Sequence, residues 1–163
     1  MILIAAGSNL PFCGVDSQQL VLRAFFAVGR VARIDAMSPL YHSPAWPDPA
    51  DPPFVNAVAA VSTGLSAAAL LEALHAIEAG FGRRRSLKNA PRTLDLDLIA
   101  YHEECRESAG NGLVLPHPRL AERDFVLAPL RDIAPEWRDP RSGETAAALL
   151  ARLPARSARR LSG

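Results

Sequence analysis

Apolar residues in this chain change their spacing several times, and each change marks a new element. Ile2 to Ala6 is an unbroken apolar run that ends at the turn formers Gly7, Ser8 and Asn9, so it predicts a short buried strand. After a loop holding Pro11 and Gly14, Asp16 or Ser17 can cap a helix on which Leu20, Ala24, Ala27, Val28 and Val31 fall at helical spacing. The stretch from Val31 to Tyr41 opens with β-prone residues and runs on to Ser43-Pro44, which predicts a second strand. A loop rich in proline follows, with Pro44, Pro47, Pro49, Pro52 and Pro53, before Phe54 to Thr63 resumes as a strand. Ser66 then caps a helix carrying Leu70, Leu71, Leu74, Ile77 and Phe81 on one face, with a stop near Gly80 or Gly82. Arg83 to Arg92 is basic and aperiodic, and Thr93 to Tyr101 alternates cleanly as a fourth strand.

The resulting order is strand, helix, strand, strand, helix, strand. It matches the split βαβ, or ferredoxin-like, βαββαβ arrangement and predicts an α+β fold: an antiparallel sheet with helices packed on one face. Beyond Glu107 the pattern weakens. Pro118 suits the first turn of a short helix, and Thr145 to Leu153 suits a last one, so C-terminal helical additions are expected. From Pro154 to the end the chain reads as a frayed tail. The length of 163 residues suits a single domain over 1–163 with a sizeable core.

Composition narrows the class. The chain is 49% hydrophobic and 21% charged, ordinary for a folded soluble protein. Its formal net charge of +1 gives no global reason to expect a nucleic-acid or membrane partner. Cys13 and Cys105 are far apart and lack metal-ligand spacing, so neither a disulfide framework nor a zinc site is expected. The run Ile2 to Ala6 is too short for a signal-peptide core, and no stretch approaches the roughly 20 apolar residues of a membrane span. A cytoplasmic location is expected.

Candidate chemistry centres on Thr93-Leu94-Asp95-Leu96-Asp97-Leu98-Ile99. Alternation puts Leu94, Leu96 and Leu98 on one face and both carboxylates on the other, with Cα atoms about 7 Å apart. Taken alone, the run fits an amphipathic strand with a wetted polar face. The preceding stretch changes that balance, because Arg83, Arg84, Arg85, Lys88 and Arg92 supply five cations with no acid among them. Cations beside a carboxylate pair point to a polyphosphate with magnesium, an ion that takes only one or two protein carboxylates and fills its shell with phosphate oxygens and water. There is no GxxxxGK[ST] loop, so a nucleotide would be held on another framework. Trp46 and Phe54 bracket the proline-rich loop, where an aromatic can stack on a flat heterocycle or simply join the core. His117, between Pro116 and Pro118, can donate to a phosphate or hold a turn.

Five segments together resemble the 6-hydroxymethyl-7,8-dihydropterin pyrophosphokinase family: Gly7-Ser8-Asn9-Leu10, Tyr41-His42-Ser43-Pro44, Phe54-Val55-Asn56-Ala57, Pro91-Arg92-Thr93-Leu94-Asp95-Leu96-Asp97, and Leu115-Pro116-His117 with Phe125. The resemblance covers most of the chain, and its fourth string is highly specific. It implies transfer of pyrophosphate from ATP to the hydroxymethyl group of a pterin in folate biosynthesis, with two magnesium ions held by Asp95 and Asp97 and in-line attack on the β-phosphorus. It implies that Arg83 and Arg92 act with the two aspartates in catalysis, and that Glu78, Arg83, Arg85, Arg92, Leu98, His117 and Arg123 surround ATP. It further implies a pterin pocket made by Ser43, Pro44, Trp46, Phe54, Asn56 and Phe125. A monomer that binds small molecules, with no nucleic acid and no membrane, is expected from the same match.

The chain departs from the family pattern at Asn89-Ala90, where a tryptophan-glycine pair is usual, and at Pro118 and Ser43. A paralogue acting on a related pterin is therefore the nearest competing reading. A noncatalytic RNA-binding module is the competitor of another class. It fits poorly, because the fourth strand presents acids where an RNA-binding sheet presents stacking aromatics.

Overall fold

The computed structural model describes residues 1–45, 48–83, 92–107 and 112–161. The elements are β1 (Ile2–Ser8), α1 (Ser17–Val28), β2 (Arg33–Met37), β3 (Tyr41–Ser43), β4 (Phe54–Ser62), α2 (Ala67–Gly80), β5 (Asp95–Tyr101), α3 (Asp124–Ile133), α4 (Ala146–Arg152) and β6 (Arg159–Arg160), with a 3-10 turn at Leu120–Glu122. The described strands form one antiparallel sheet in the order β5-β1-β4-β3-β6, while β2 pairs the other end of β4. Counting β2 and β3 as one interrupted strand, this is the expected βαββαβ order.

The interruption is a correction to the expected strand from Val31 to Tyr41, and Pro39 is its cause, since proline has no N–H to give the ladder. The Ser38 hydroxyl compensates by accepting from the Val58 amide at 3.0 Å, while the Ser38 amide donates to the Val58 carbonyl at 2.9 Å. Both helix starts are as expected. Asp16 accepts from the Gln19 amide at 2.9 Å and Ser66 accepts from the Ala69 amide at 3.3 Å, caps worth about 1 kcal/mol each.

Alternation decides which residues meet which helices. Ile2, Ile4 and Ala6 of β1, Val55, Ala57, Ala59 and Val61 of β4, and Leu96 and Leu98 of β5 face α1 and α2 and form one core with Val21, Ala24, Leu70 and Leu74. The two core helices thus share one face. The C-terminal additions lie on the other, where α3 and α4 pack Val126, Leu127, Leu130 and Leu149 against Leu3, Val58, Ile99 and Ala100. A bulge between Leu3 and Ile4 in the pairing with β5 shifts the alternation, which carries both Ile99 and Ala100 to this second face.

Two features differ from the sequence reading. Helix α3 was not expected, because Pro129 inside it removes a main-chain donor and breaks the helical pattern. The residues after Pro154, expected to fray, instead return to the sheet. Tyr41 pairs with Arg160 and His42 with Arg159, and the Leu161 amide donates to the Leu40 carbonyl at 2.8 Å. Main-chain pairing, bonds to the Asp124 carboxylate and packing of Ala158 and Leu161 hold this segment.

Candidate active site

The second face of the sheet is covered by α3 and α4 over only part of its area. Beyond the N-terminus of α3 lies a cavity of about 390 Å³, and its floor is made by small residues of β1: Ala5, Ala6 and Gly7. Gly7 pairs with Asn56 of β4 on one side and Asp95 of β5 on the other, so the three share one face. A Cβ on Gly7 would stand 3.1 Å from Asn56 Oδ1. Glycine here keeps the space between the amide and the carboxylate open.

At one end the cavity is lined by Ser43, Pro44, Phe54, Asn56 and Phe125. Asn56 Nδ2 donates to Ser43 Oγ at 2.9 Å, which orients the carboxamide and leaves its oxygen toward Gly7. Ser43 is the register partner of Phe54, so β3 and β4 carry one side of this end together. Phe125 comes from the first turn of α3, on the opposite side, with the Arg123 guanidinium 5.6 Å from its ring centroid. Two aromatic rings and a fixed amide make a slot suited to a flat heterocycle with a polar edge.

At the other end stand Asp95 and Asp97, lining the cavity together with Arg92 and Arg123. Asp95 is held by two guanidiniums, Arg83 Nη1 at 2.6 Å from Oδ1 and Arg92 Nη1 at 2.6 Å from Oδ2. Asp97 is held by Arg123 Nη1 at 2.6 Å from Oδ2, with His117 Nε2 3.9 Å from the same oxygen. Arg123 Nε is buried without a hydrogen-bond partner among the described residues, a donor suited to an anion in the cavity. Burial pushes the His117 imidazole below its ordinary range, against the opposing pull of Asp97. The Arg119 amide donates to His117 Nδ1 at 3.1 Å, so the neutral ring carries its proton on Nε2, toward Asp97.

The carboxylates fit magnesium on their chemistry. Among the described residues no group of three or more His, Cys, Asp or Glu side chains forms a ready-made metal cage. Two carboxylates projecting from one strand into a cavity rich in guanidinium match an ion that completes its shell with phosphate oxygens and water.

Several expected residues are placed differently. Glu78 does not line the cavity; it is 1% exposed at the end of α2, where Oε1 accepts from the Leu96 amide at 2.7 Å and also pairs with Arg83. It buttresses β5 and Arg83 from behind the sheet. Leu98 points into the core between the sheet and α1 and α2, away from the aspartates. Trp46 and Arg85 lie outside the described residues, as do Asn89 and Ala90. Arg119, Glu122, Asp124 and Ser157 line the cavity and were not expected from the sequence. Asn9 has a further part: its Nδ2 donates to the Pro52 carbonyl at 3.0 Å and its Oδ1 accepts from the Arg92 amide at 2.8 Å, tying two loops to the end of β1.

Known proteins share both the sequence and the fold. Residues 3–135 match the family model described as 7,8-dihydro-6-hydroxymethylpterin-pyrophosphokinase. A Pseudomonas aeruginosa protein named 2-amino-4-hydroxy-6-hydroxymethyldihydropteridine pyrophosphokinase is 41% identical over 165 residues, covering 99% of this chain and 97% of its own. A Synechocystis protein of the same name is 46% identical over 112 residues, covering 69% of this chain and 56% of that one. Among solved structures, the wild-type HPPK-DHPS of Plasmodium falciparum superposes with a TM-score of 0.68 at 12% identity, over 93% of this chain and 44% of that chain. This chain thus spans a little over half of the Synechocystis protein and under half of the Plasmodium one, and the latter likeness shows the fold alone. With the family model matching residues 3–135 and a relative 41% identical over 99% of the chain, the chain belongs to the 7,8-dihydro-6-hydroxymethylpterin-pyrophosphokinase family.

Proposed function

We propose that this chain transfers pyrophosphate from ATP to the hydroxymethyl group of 6-hydroxymethyl-7,8-dihydropterin, giving the pterin diphosphate and AMP in folate biosynthesis. The observation that carries this reading is that one cavity holds both an aromatic slot, between Phe54 and Phe125, and a carboxylate pair ringed by arginines. The family shared with proteins named for this activity supports it.

In this reading the pterin ring lies between Phe54 and Phe125, and Asn56, locked by Ser43, hydrogen-bonds its polar edge. The hydroxymethyl oxygen then points toward Asp95 and Asp97, where it forms a bond to the β-phosphorus. The bond from that phosphorus to the α–β bridging oxygen breaks, AMP departs with the bridging oxygen, and the hydroxyl proton is released to solvent. Bound at Asp95 and Asp97, two magnesium ions would neutralise phosphate charge and acidify the acceptor hydroxyl. Arg83, Arg92 and Arg123 exchange their aspartate partners for phosphate oxygens, because planar guanidinium forks bind either anion. His117, neutral and protonated on Nε2, donates a hydrogen bond to the polyphosphate. The protein thus contributes position and charge, which is what phosphoryl-type transfer chiefly requires.

The test is to incubate the protein with ATP, magnesium and 6-hydroxymethyl-7,8-dihydropterin and to separate the products. AMP and pterin diphosphate in equal amounts are expected. No AMP, or ADP in its place, overturns the reading; a faster reaction with another hydroxymethyl pterin corrects the substrate.

A further inference from the structure

The C-terminal segment, which in sequence reads as a frayed tail, is bonded to both sides of the aromatic slot. On one side, Asp124 at the start of α3 is 7% exposed, and its Oδ2 accepts three hydrogen bonds: from the Ser157 amide, from Ser157 Oγ at 3.2 Å and from the Ala158 amide at 2.8 Å. The next residue along α3 is Phe125. On the other side, Arg159 and Arg160 pair with His42 and Tyr41 of β3, one step before Ser43, the register partner of Phe54. Asp124 and Ser157 both line the cavity. A continuous main-chain strap of a few residues therefore joins the element that carries Phe125 to the strands that carry Phe54.

We propose that this strap sets the width of the aromatic slot and thereby the affinity for the flat heterocycle, with Asp124 as the positioning residue. This rests on the pyrophosphokinase reading above. The physical reason is that ring stacking depends on spacing, and the N-terminal turn of α3 has no side-chain cap of its own, since Arg123 at the cap position makes no such bond. A buried carboxylate that accepts three bonds from one short segment replaces that missing restraint by fixing α3 to the strap, and the strap's ladder with β3 carries the restraint across the slot. Asp95 of β5, by contrast, is held by Arg83 and Arg92 on a strand that Glu78 buttresses, and among the described residues only Arg123, the residue before Asp124, links Asp97 to α3. The strap should therefore govern pterin binding far more than nucleotide binding.

The experiment compares wild type, Asp124→Ala and Asp124→Asn by steady-state kinetics in both substrates, with melting curves alongside. Asp124→Ala is expected to raise the KM for the pterin about tenfold while the KM for ATP moves less than about twofold. Asp124→Asn keeps an acceptor oxygen in the same place and is expected to recover most of that loss, even if the alanine variant folds poorly. Equal changes in both KM values, or an unchanged pterin KM in both variants of an active enzyme, would overturn the role of the strap. A wild-type protein that makes no AMP would instead overturn the activity on which the proposal rests, and the proposal with it.

Discussion

Leu96 and Asp97 are neighbours on β5, yet Leu96 is 2% exposed beneath α1 and α2 while Asp97 opens into the cavity on the other side of the same sheet. The first face is covered along its length by two helices whose apolar stripes match it. The second is covered by α3 and α4 only in part, and the uncovered remainder holds the carboxylates, the arginines and the aromatic slot. One face stabilises the fold, and the incomplete cover of the other makes room for ligands. Stability and chemistry are thereby separated by the thickness of one strand.

That separation can be broken or sharpened by mutation. The largest effect is expected for Asp97→Ala, which should lower AMP formation by about a hundredfold to a thousandfold or more, as loss of a group that organises transition-state charge typically does. Its melting curve should stay close to wild type, because the side chain faces the cavity and not the core. A wild-type rate at saturating magnesium and ATP would remove Asp97 from the chemistry. Leu70→Ala tests the opposite face: Leu70 is fully buried between α2 and the sheet, and its truncation should cost about 2–5 kcal/mol in denaturant unfolding. The pterin KM of the folded fraction should not change. If it does, the two faces are mechanically coupled and the comparison fails.

A smaller effect is expected for Phe125→Ala. Losing one ring of the slot should weaken pterin binding about tenfold, measured by calorimetry with a nonhydrolysable ATP analogue present. Nucleotide binding measured alone should hold, and a parallel loss there would mean that the slot and the phosphate end are not distinct. The smallest is Tyr41→Phe, which removes the hydrogen bond from the Tyr41 hydroxyl to Asp132 Oδ2 at 2.7 Å, a link between β3 and α3. The stability loss should be on the order of 1 kcal/mol. Burial, and then the Asp132 carboxylate, raise the Tyr41 phenol above its ordinary value near 10. The folded state then keeps a proton that the unfolded state releases, so this contribution is complete below about pH 10 and is lost as pH rises through the folded value. Tyr41→Phe should flatten that alkaline decline, and an unchanged slope would show that another group causes it.

Much of this architecture was legible from spacing. Alternation in Thr93 to Tyr101 separated the leucines from the aspartates, and the caps at Asp16 and Ser66 placed both core helices, because each signal lies within a few residues. Pro39 divided a strand that composition alone made continuous, and the Ser38 hydroxyl then carried the ladder across the break. Helix α3 escaped notice because Pro129 interrupts its pattern while tertiary packing of Val126, Leu127 and Leu130 overrides the interruption. Glu78 and Leu98, expected around ATP, do not line the cavity, since Glu78 turns to the Leu96 amide and Arg83 and Leu98 packs into the core beneath α1 and α2.

The sequence by itself determined the βαββαβ core, the face on which Asp95 and Asp97 stand and the family to which the chain belongs, because those depend on local periodicity and on short strings of residues. Only the tertiary structure decided that Arg123 would meet Asp97, that Asn9 would hold Arg92 and Pro52, and that Asp124 would bind the C-terminal tail. Those contacts join residues distant in the chain through hydrogen bonds and ion pairs, and such interactions leave no period in the sequence to be read.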